Sequence, residues 1–319
     1  MIKLPTPTQF AGAFYKRLSR IACSSLMLLA LAAPLPAVDI LYVTMGNNTI
    51  VSYDTTSGVG STIAASVNTF ASTNLNVPYG LAFDSSGNLY AANYNDSTIS
   101  KFNASGGYVS NINSDLVAPY GLAFDSSGNL YASNFDNTIS KFNASGTFLS
   151  QINSNLNSPT GLAFDSTGNL YAANYNNSTI SKFNAAGTFL SQINSNLNGP
   201  QALAFDSTGN LYAANLSNST ISKFNSSGTF LSQINSNLGR PQGLAVDSTG
   251  NLYAANFNTN TISKFDSSGT FLTSWSTGST PNFLAFKPVT VPEPSTYALA
   301  TIATGVMAYL ARRRKARTA

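Results

Sequence analysis

The 319-residue chain has no histidine, a single glutamate (Glu293) and a single cysteine (Cys23). The stretch between residues 38 and 288 therefore offers no imidazole base, no thiol nucleophile, no disulfide and no thiolate or imidazole metal ligand. Acid–base chemistry there would rest on aspartate alone, which argues against an enzyme; we assign no catalytic residue, no metal ligand and no cofactor. Charge is scarce too, at 9% of residues. The overall +4 misleads, because the basic residues gather at the ends: Lys3, Lys16, Arg17 and Arg20, then Arg312, Arg313, Arg314, Lys315 and Arg317. Between residues 38 and 291, six Lys and one Arg face eleven Asp, a net charge of −4. Such a body attracts no phosphate backbone, so nucleic acid is not an expected partner. Hydrophobic residues still make up 43%, enough for a packed core.

The two ends read as targeting segments. Basic residues up to Arg20, an apolar run from Ile21 to Ala33 and small residues to Ala37 follow the order of a secretory signal peptide, assigned to residues 1–37. Residues 289–319 have three parts: Pro292-Glu293-Pro294, an apolar stretch from Tyr297 to Ala311, and the Arg cluster. At ~1.5 Å per residue that stretch covers about 22 Å, short of a ~30 Å hydrocarbon core, and the Arg cluster would hold its end on the cytoplasmic side. Motif, short span and basic end together resemble the PEP-CTERM sorting signal of exopolysaccharide-making bacteria. The resemblance implies a membrane exosortase as processing partner, cutting near the motif, with the protein transiently anchored in the inner membrane and then released to the envelope or beyond. An ordinary tail anchor is the alternative, and it too places the body outside the inner membrane.

Internal repetition dominates residues 38–288. Pro78, Pro119, Pro159, Pro200, Pro241 and Pro281 recur every 40 or 41 residues. Four short apolar runs per unit, without helical spacing, predict an all-β, six-bladed propeller of four-stranded blades. In the unit from Pro159, strands are predicted at 161–164, 169–172, 179–183 and 188–193, with Asp165 and Gly168 making the first hairpin turn. Residues 40–43, 49–53 and 61–66 supply the second to fourth strands of a blade whose first strand is missing. Asn282 to Phe286 is a first strand without partners. Pairing the two closes the ring and removes its open edges.

The unit PQGLAVDSTGNLYAANFNTNTISKFDSSGTFLTSW, from Pro241 to Trp275, resembles the NHL repeat in its Pro-x-Gly, Asp-x-x-Gly-Asn and Lys-Phe-Asp. Relatives of that kind include lyases and lactonases that use acidic and imidazole side chains at a metal. Here the charged positions after the second strand are Asn, as at Asn174, Asn176 and Asn177.

Two recurring columns read as structural: Asp84, Asp125, Asp165, Asp206 and Asp247 as turn caps, and Lys101, Lys141, Lys182, Lys223 and Lys264 as a solvated strand face. The tyrosines Tyr42, Tyr90, Tyr131, Tyr171, Tyr212 and Tyr253 read as packing between blades. The candidate ligand face comprises loops that open on one side of the ring. Those after the second strands carry Tyr94, Asn95, Phe135, Tyr175, Asn176 and Phe257, and those before the first strands carry Tyr79, Tyr120, Gln201 and Gln242. Amides interleaved with aromatics can stack on and hydrogen-bond a neutral polysaccharide, though Asn also serves tight turns. The sequence thus points to an exported, monomeric binding or scaffold module of the envelope or extracellular matrix. A purely structural surface protein is the alternative, and a propeller lyase or lactonase the remote one.

Overall fold

The computed structural model describes residues 39–55 and 68–288, which form 24 strands in six four-stranded antiparallel sheets. The signal-peptide segment 1–37 and the sorting segment 289–319 lie outside the described residues, as does the span expected at 297–311. Among the described residues no helix is long and apolar enough to cross a membrane.

Each blade runs outward from the ring axis. In blade 2 the order is β4 (Pro78–Phe83), β5 (Leu89–Asn93), β6 (Thr98–Phe102) and β7 (Tyr108–Ile112). Blades 3 to 6 repeat it, opening with β8 (Pro119–Phe124), β12 (Pro159–Phe164), β16 (Pro200–Phe205) and β20 (Pro241–Val246). Blade 1 is made from both ends of the propeller: β24 (Pro281–Phe286) pairs antiparallel with β1 (Ile40–Met45), which is followed by β2 (Thr49–Asp54) and β3 (Asn68–Ala71). The expected ring closure is therefore what forms, Leu41 pairing with Phe286 and Val43 with Leu284. One boundary differs: the fourth strand of blade 1, expected at 61–66, is Asn68–Ala71, and residues 56–67 lie outside the described residues. Pairing with β2 selects it, since Ile50 opposite Ala71 buries that alanine and sets Phe70 edge-on to Tyr42 and Phe102.

Blades are held by the two faces of their second strands. Along β5, Tyr90 and Ala92 pack toward blade 3 with Leu122, Leu130 and Phe142, while Leu89 and Ala91 pack toward blade 1 with Tyr42 and Ile50. The period of two thus assigns alternate side chains to opposite neighbours, and every β5 residue is buried. The tyrosine column packs between blades as read: Tyr90 lies edge-on to Phe124 at 5.0 Å and Tyr131 to Phe164 at 5.0 Å. The turns after the first strands also form as read, with the Asp84 carboxylate accepting from the backbone N–H of Ser86 and Asn88, both at 2.9 Å.

The Lys column is a correction. Each lysine is clasped rather than solvated, its ammonium 3.3–3.8 Å from the Asp of its own blade and 4.9–5.1 Å from the centre of the Tyr ring across the strand. Third-strand lysines face second-strand tyrosines directly, Lys101 opposite Tyr90, which fixes this geometry in every full repeat.

Candidate functional site

The loop face is built from the Pro-x-Gly segments. In β4, Pro78 pairs with Asn93 and Leu81 with Ala91, so Tyr79 and Gly80 together stand opposite Ala92. β8 repeats this bulge at Tyr120-Gly121. A bulge re-aims the side chain it carries. The x position supplies Tyr79, Tyr120, Thr160, Gln201, Gln242 and Asn282 from six successive blades.

These side chains engage one another. The rings of Tyr79 and Tyr120 stack 4.2 Å apart, and Phe283 lies edge-on to Tyr120 at 5.5 Å. Gln201 and Gln242, both buried, donate their amide N–H groups to the Tyr120 hydroxyl, Gln242 at 2.8 Å. Asn282 donates to the Pro78 carbonyl at 3.1 Å and Thr160 to the Pro200 carbonyl at 3.1 Å. Contacts from blade 3 to blades 5 and 6 thus span the ring. Burial pushes the Tyr120 hydroxyl far above the ordinary phenol range, with Tyr79 adding to the rise against the two amide donors. Tyr79 is raised chiefly by burial, with Tyr94 contributing. At neutral pH both are neutral phenols.

Above this layer, Tyr94 stands edge-on to Tyr79 at 5.6 Å, to Tyr120 at 6.3 Å and to Phe135 at 6.3 Å. Phe135 is 62% exposed. The structure therefore brings Tyr79, Tyr94, Tyr120 and Phe135 into one aromatic patch on blades 2 and 3. Tyr175 and Phe257 stand apart from it: Tyr175 lies against the Gly199 turn, and Phe257 has the Arg240 guanidinium 5.9 Å from its ring centre. Asn95 and Asn176 are exposed, Asn95 donating to Asn76 at 3.3 Å.

The first Asn of each loop is different. Asn93, Asn134, Asn174, Asn215 and Asn256 are buried, and each donates to a Thr and a Ser hydroxyl of the third strand, as Asn93 does to Thr98 at 3.0 Å and Ser100 at 2.8 Å. The Asn93 side-chain oxygen accepts from the Asn76 backbone at 3.2 Å. These asparagines hold the loops in place. Asp96, Asp115 and Asp136, exposed carboxylates on the loops of blades 2 and 3, were given no role in the sequence reading. Their signal lay in the repeats: Asn177 and Asn218 occupy the Asp96 position, and Asn74, Asn155, Asn196 and Asn237 the Asp115 position.

Fold and repeats together define a six-bladed propeller, in which two units match the NHL repeat, and the chain carries a sorting motif after it. The NHL repeat family matches residues 156–183 and 238–265, and the PEP-CTERM protein-sorting motif matches residues 290–315, marking an exported protein. No curated protein matches the sequence. Among solved structures, the chain is similar to one in a nidogen/laminin complex, at 21% identity over 79% of this chain and 98% of that one, with a TM-score of 0.67. A Bacteroides caccae protein of unknown function gives 15% identity, 79% and 100% coverage and a TM-score of 0.63. Virginiamycin B lyase from Staphylococcus aureus gives 16% identity, 65% and 73% coverage and a TM-score of 0.55. At these identities the likeness is one of fold.

Proposed function

We propose that the protein is an exported module of the cell envelope or extracellular matrix that binds polysaccharide through its loop face. Export begins with removal of residues 1–37. The sorting segment then holds the chain transiently at the inner membrane until an exosortase-type enzyme cuts near Pro292, Glu293 and Pro294. The observation that carries the binding reading is the aromatic patch of Tyr94 and Phe135. Phe135 is exposed and Tyr94 half-buried, the exposed amides of Asn95 and Asn137 stand on the same loops, and Tyr94 packs edge-on to the Tyr79–Tyr120 stack. Flat rings in such a border suit the apolar face of a pyranose, with amides for its hydroxyls. A binding role also fits the residue set better than catalysis, since acid–base chemistry would fall to aspartates, five of them already clasped by lysine and turn donors, with no histidine in the chain to work beside them.

Affinity electrophoresis of the exported protein through gels containing matrix polysaccharide tests this. Replacing Tyr94 and Phe135 by Ala should weaken retention roughly tenfold, on about 0.5–1.5 kcal/mol per aromatic contact, whereas replacing Tyr175 and Phe257 should have the smaller effect. Retention unchanged in the Tyr94/Phe135 variant, or absent in the parent protein, leaves the purely structural reading.

A further inference from the structure

Most of the charge on the propeller has an evident partner. The five turn aspartates pair with the five strand lysines. Asp39 accepts from the backbone and hydroxyl of Ser248, at 3.2 and 2.6 Å. Asp266 is taken up by its own turn, accepting from Ser268 and Thr270. On the loop face, Asp96, Asp115 and Asp136 are different. Asp96 accepts from Asn76 at 2.5 Å and Asp136 from Thr138 at 2.6 Å, and among the described residues no Lys or Arg forms an ion pair with any of the three. All three stand on blades 2 and 3, the blades that carry the aromatic patch. The loop-face cation Arg240 belongs to blade 6 and leans on Phe257.

The six-fold repeat sharpens the point. Elsewhere in the ring the Asp96 and Asp115 positions hold neutral residues on the same backbone, so the carboxylates are not needed for the turns. Among the described residues no three acidic side chains come close enough to hold one metal ion. Separate exposed carboxylates on the loops of the two blades that carry the half-buried Tyr94 and the exposed Phe135 complement a ligand with spaced positive charges and flat apolar faces. Backbone donors on these loops are already used, the Tyr94 N–H by Val77 at 3.2 Å and the Phe135 N–H by Val117 at 2.9 Å, which leaves little for a peptide main chain to pair with. From this sector we infer that the polysaccharide recognised here carries free primary amines. Its ammonium groups lie against Asp96, Asp115 and Asp136, and its sugar rings lie on Tyr94 and Phe135.

The inference rests on the polysaccharide reading of the same face and narrows it, so its test separates the two. Binding of the exported protein to hexameric N-acetylglucosamine is compared with binding to the de-N-acetylated hexamer, at low salt and at 0.5 M salt. The de-N-acetylated form should bind roughly tenfold tighter at low salt, as expected for a few exposed ion pairs, with the advantage lost at high salt. An Asp96→Asn, Asp115→Asn, Asp136→Asn variant keeps the local hydrogen bonds with a residue the other repeats already tolerate. It should lose the preference and retain binding to the acetylated hexamer. Equal binding of both hexamers, still dependent on Tyr94 and Phe135, overturns the amine inference and leaves the polysaccharide reading standing. Binding of neither hexamer overturns both. Capture of an oligolysine in place of the de-N-acetylated sugar, with the same Asp dependence, overturns the sugar class.

Discussion

Asp165, Lys182 and Tyr171 show how one residue column can be right in sequence and incomplete in chemistry. The turn cap was legible because Asp-x-x-Gly is a local device, its carboxylate accepting from the Thr167 and Asn169 backbones. The lysine was not, because its partner lies two strands away, 3.3 Å from Nζ. The cluster sets the acid response. Burial, the largest influence on Asp84, Asp125, Asp165, Asp206 and Asp247, acts to raise their pKa. It is outweighed by hydrogen bonds from the turn, with Lys adding in some blades, so each lies below its ordinary 3.8. A carboxyl lowered by folding stabilises the fold above its unfolded value, and that stability is lost as pH falls through the folded value. Lys101 and Lys182 are desolvated, which lowers their pKa, yet Tyr and Asp contacts carry them above the ordinary 10.5; their contribution is lost as pH rises through the folded value. With no histidine in the chain, the melting temperature should be flat from about pH 5 to 9 and fall below about pH 4. A main transition between pH 5 and 8 would contradict this assignment.

Inner strands show where the element pattern was legible and where it was not. Small residues occupy the crowded centre, and the reason is visible at Gly121: a Cβ there would lie 2.1 Å from the Thr160 carbonyl oxygen of the next blade. The bulge at Tyr120-Gly121 could not be read, because Pro-x-Gly-Leu alternates like any strand and only pairing with Asn134 and Ala132 shows the extra residue. Gly121→Ala should cost about 2–4 kcal/mol, since backbone must move in two blades. Gly128→Ala is the comparison: φ is +82°, nothing lies within 4 Å, and only the left-handed backbone is strained, at about 1 kcal/mol. Urea unfolding of both variants gives the two values, and equal costs would count against the close inter-blade approach. The outermost strand was placed well in the repeat from Pro159, Phe189–Ile193 against an expected 188–193, and misplaced in blade 1, where the sequence after Tyr53 lacks the Asx-x-x-Gly spacing that marks the turn in the other units.

Closure was read from a mismatch of ends, a first strand without partners and three strands without a first, and the β24–β1 ladder is its physical form. The candidate face was less legible, because the loop sequences look alike while the aromatics of blades 2 and 3 come together and Tyr175 and Phe257 stand apart from them. Deleting residues 282–288 from the full chain should lower the melting temperature by at least about 10 °C and promote association through the freed β1 edge. Deleting 292–319 should leave melting unchanged, because β24 ends at Phe286. Calorimetry showing equal melting of the two deletions would remove the closure from its supposed role.

The β24–β1 pairing also imposes an order in time. Blades 2 to 6 can each form as their own 40 or so residues arrive, but blade 1 must wait for the last strand. Leu41 meets Phe286 across nearly the whole length of the propeller. As the chain emerges the ring therefore stays open until its final strand has arrived, and β1 remains without an inner neighbour throughout. A chain cut short before β24 cannot lock itself shut.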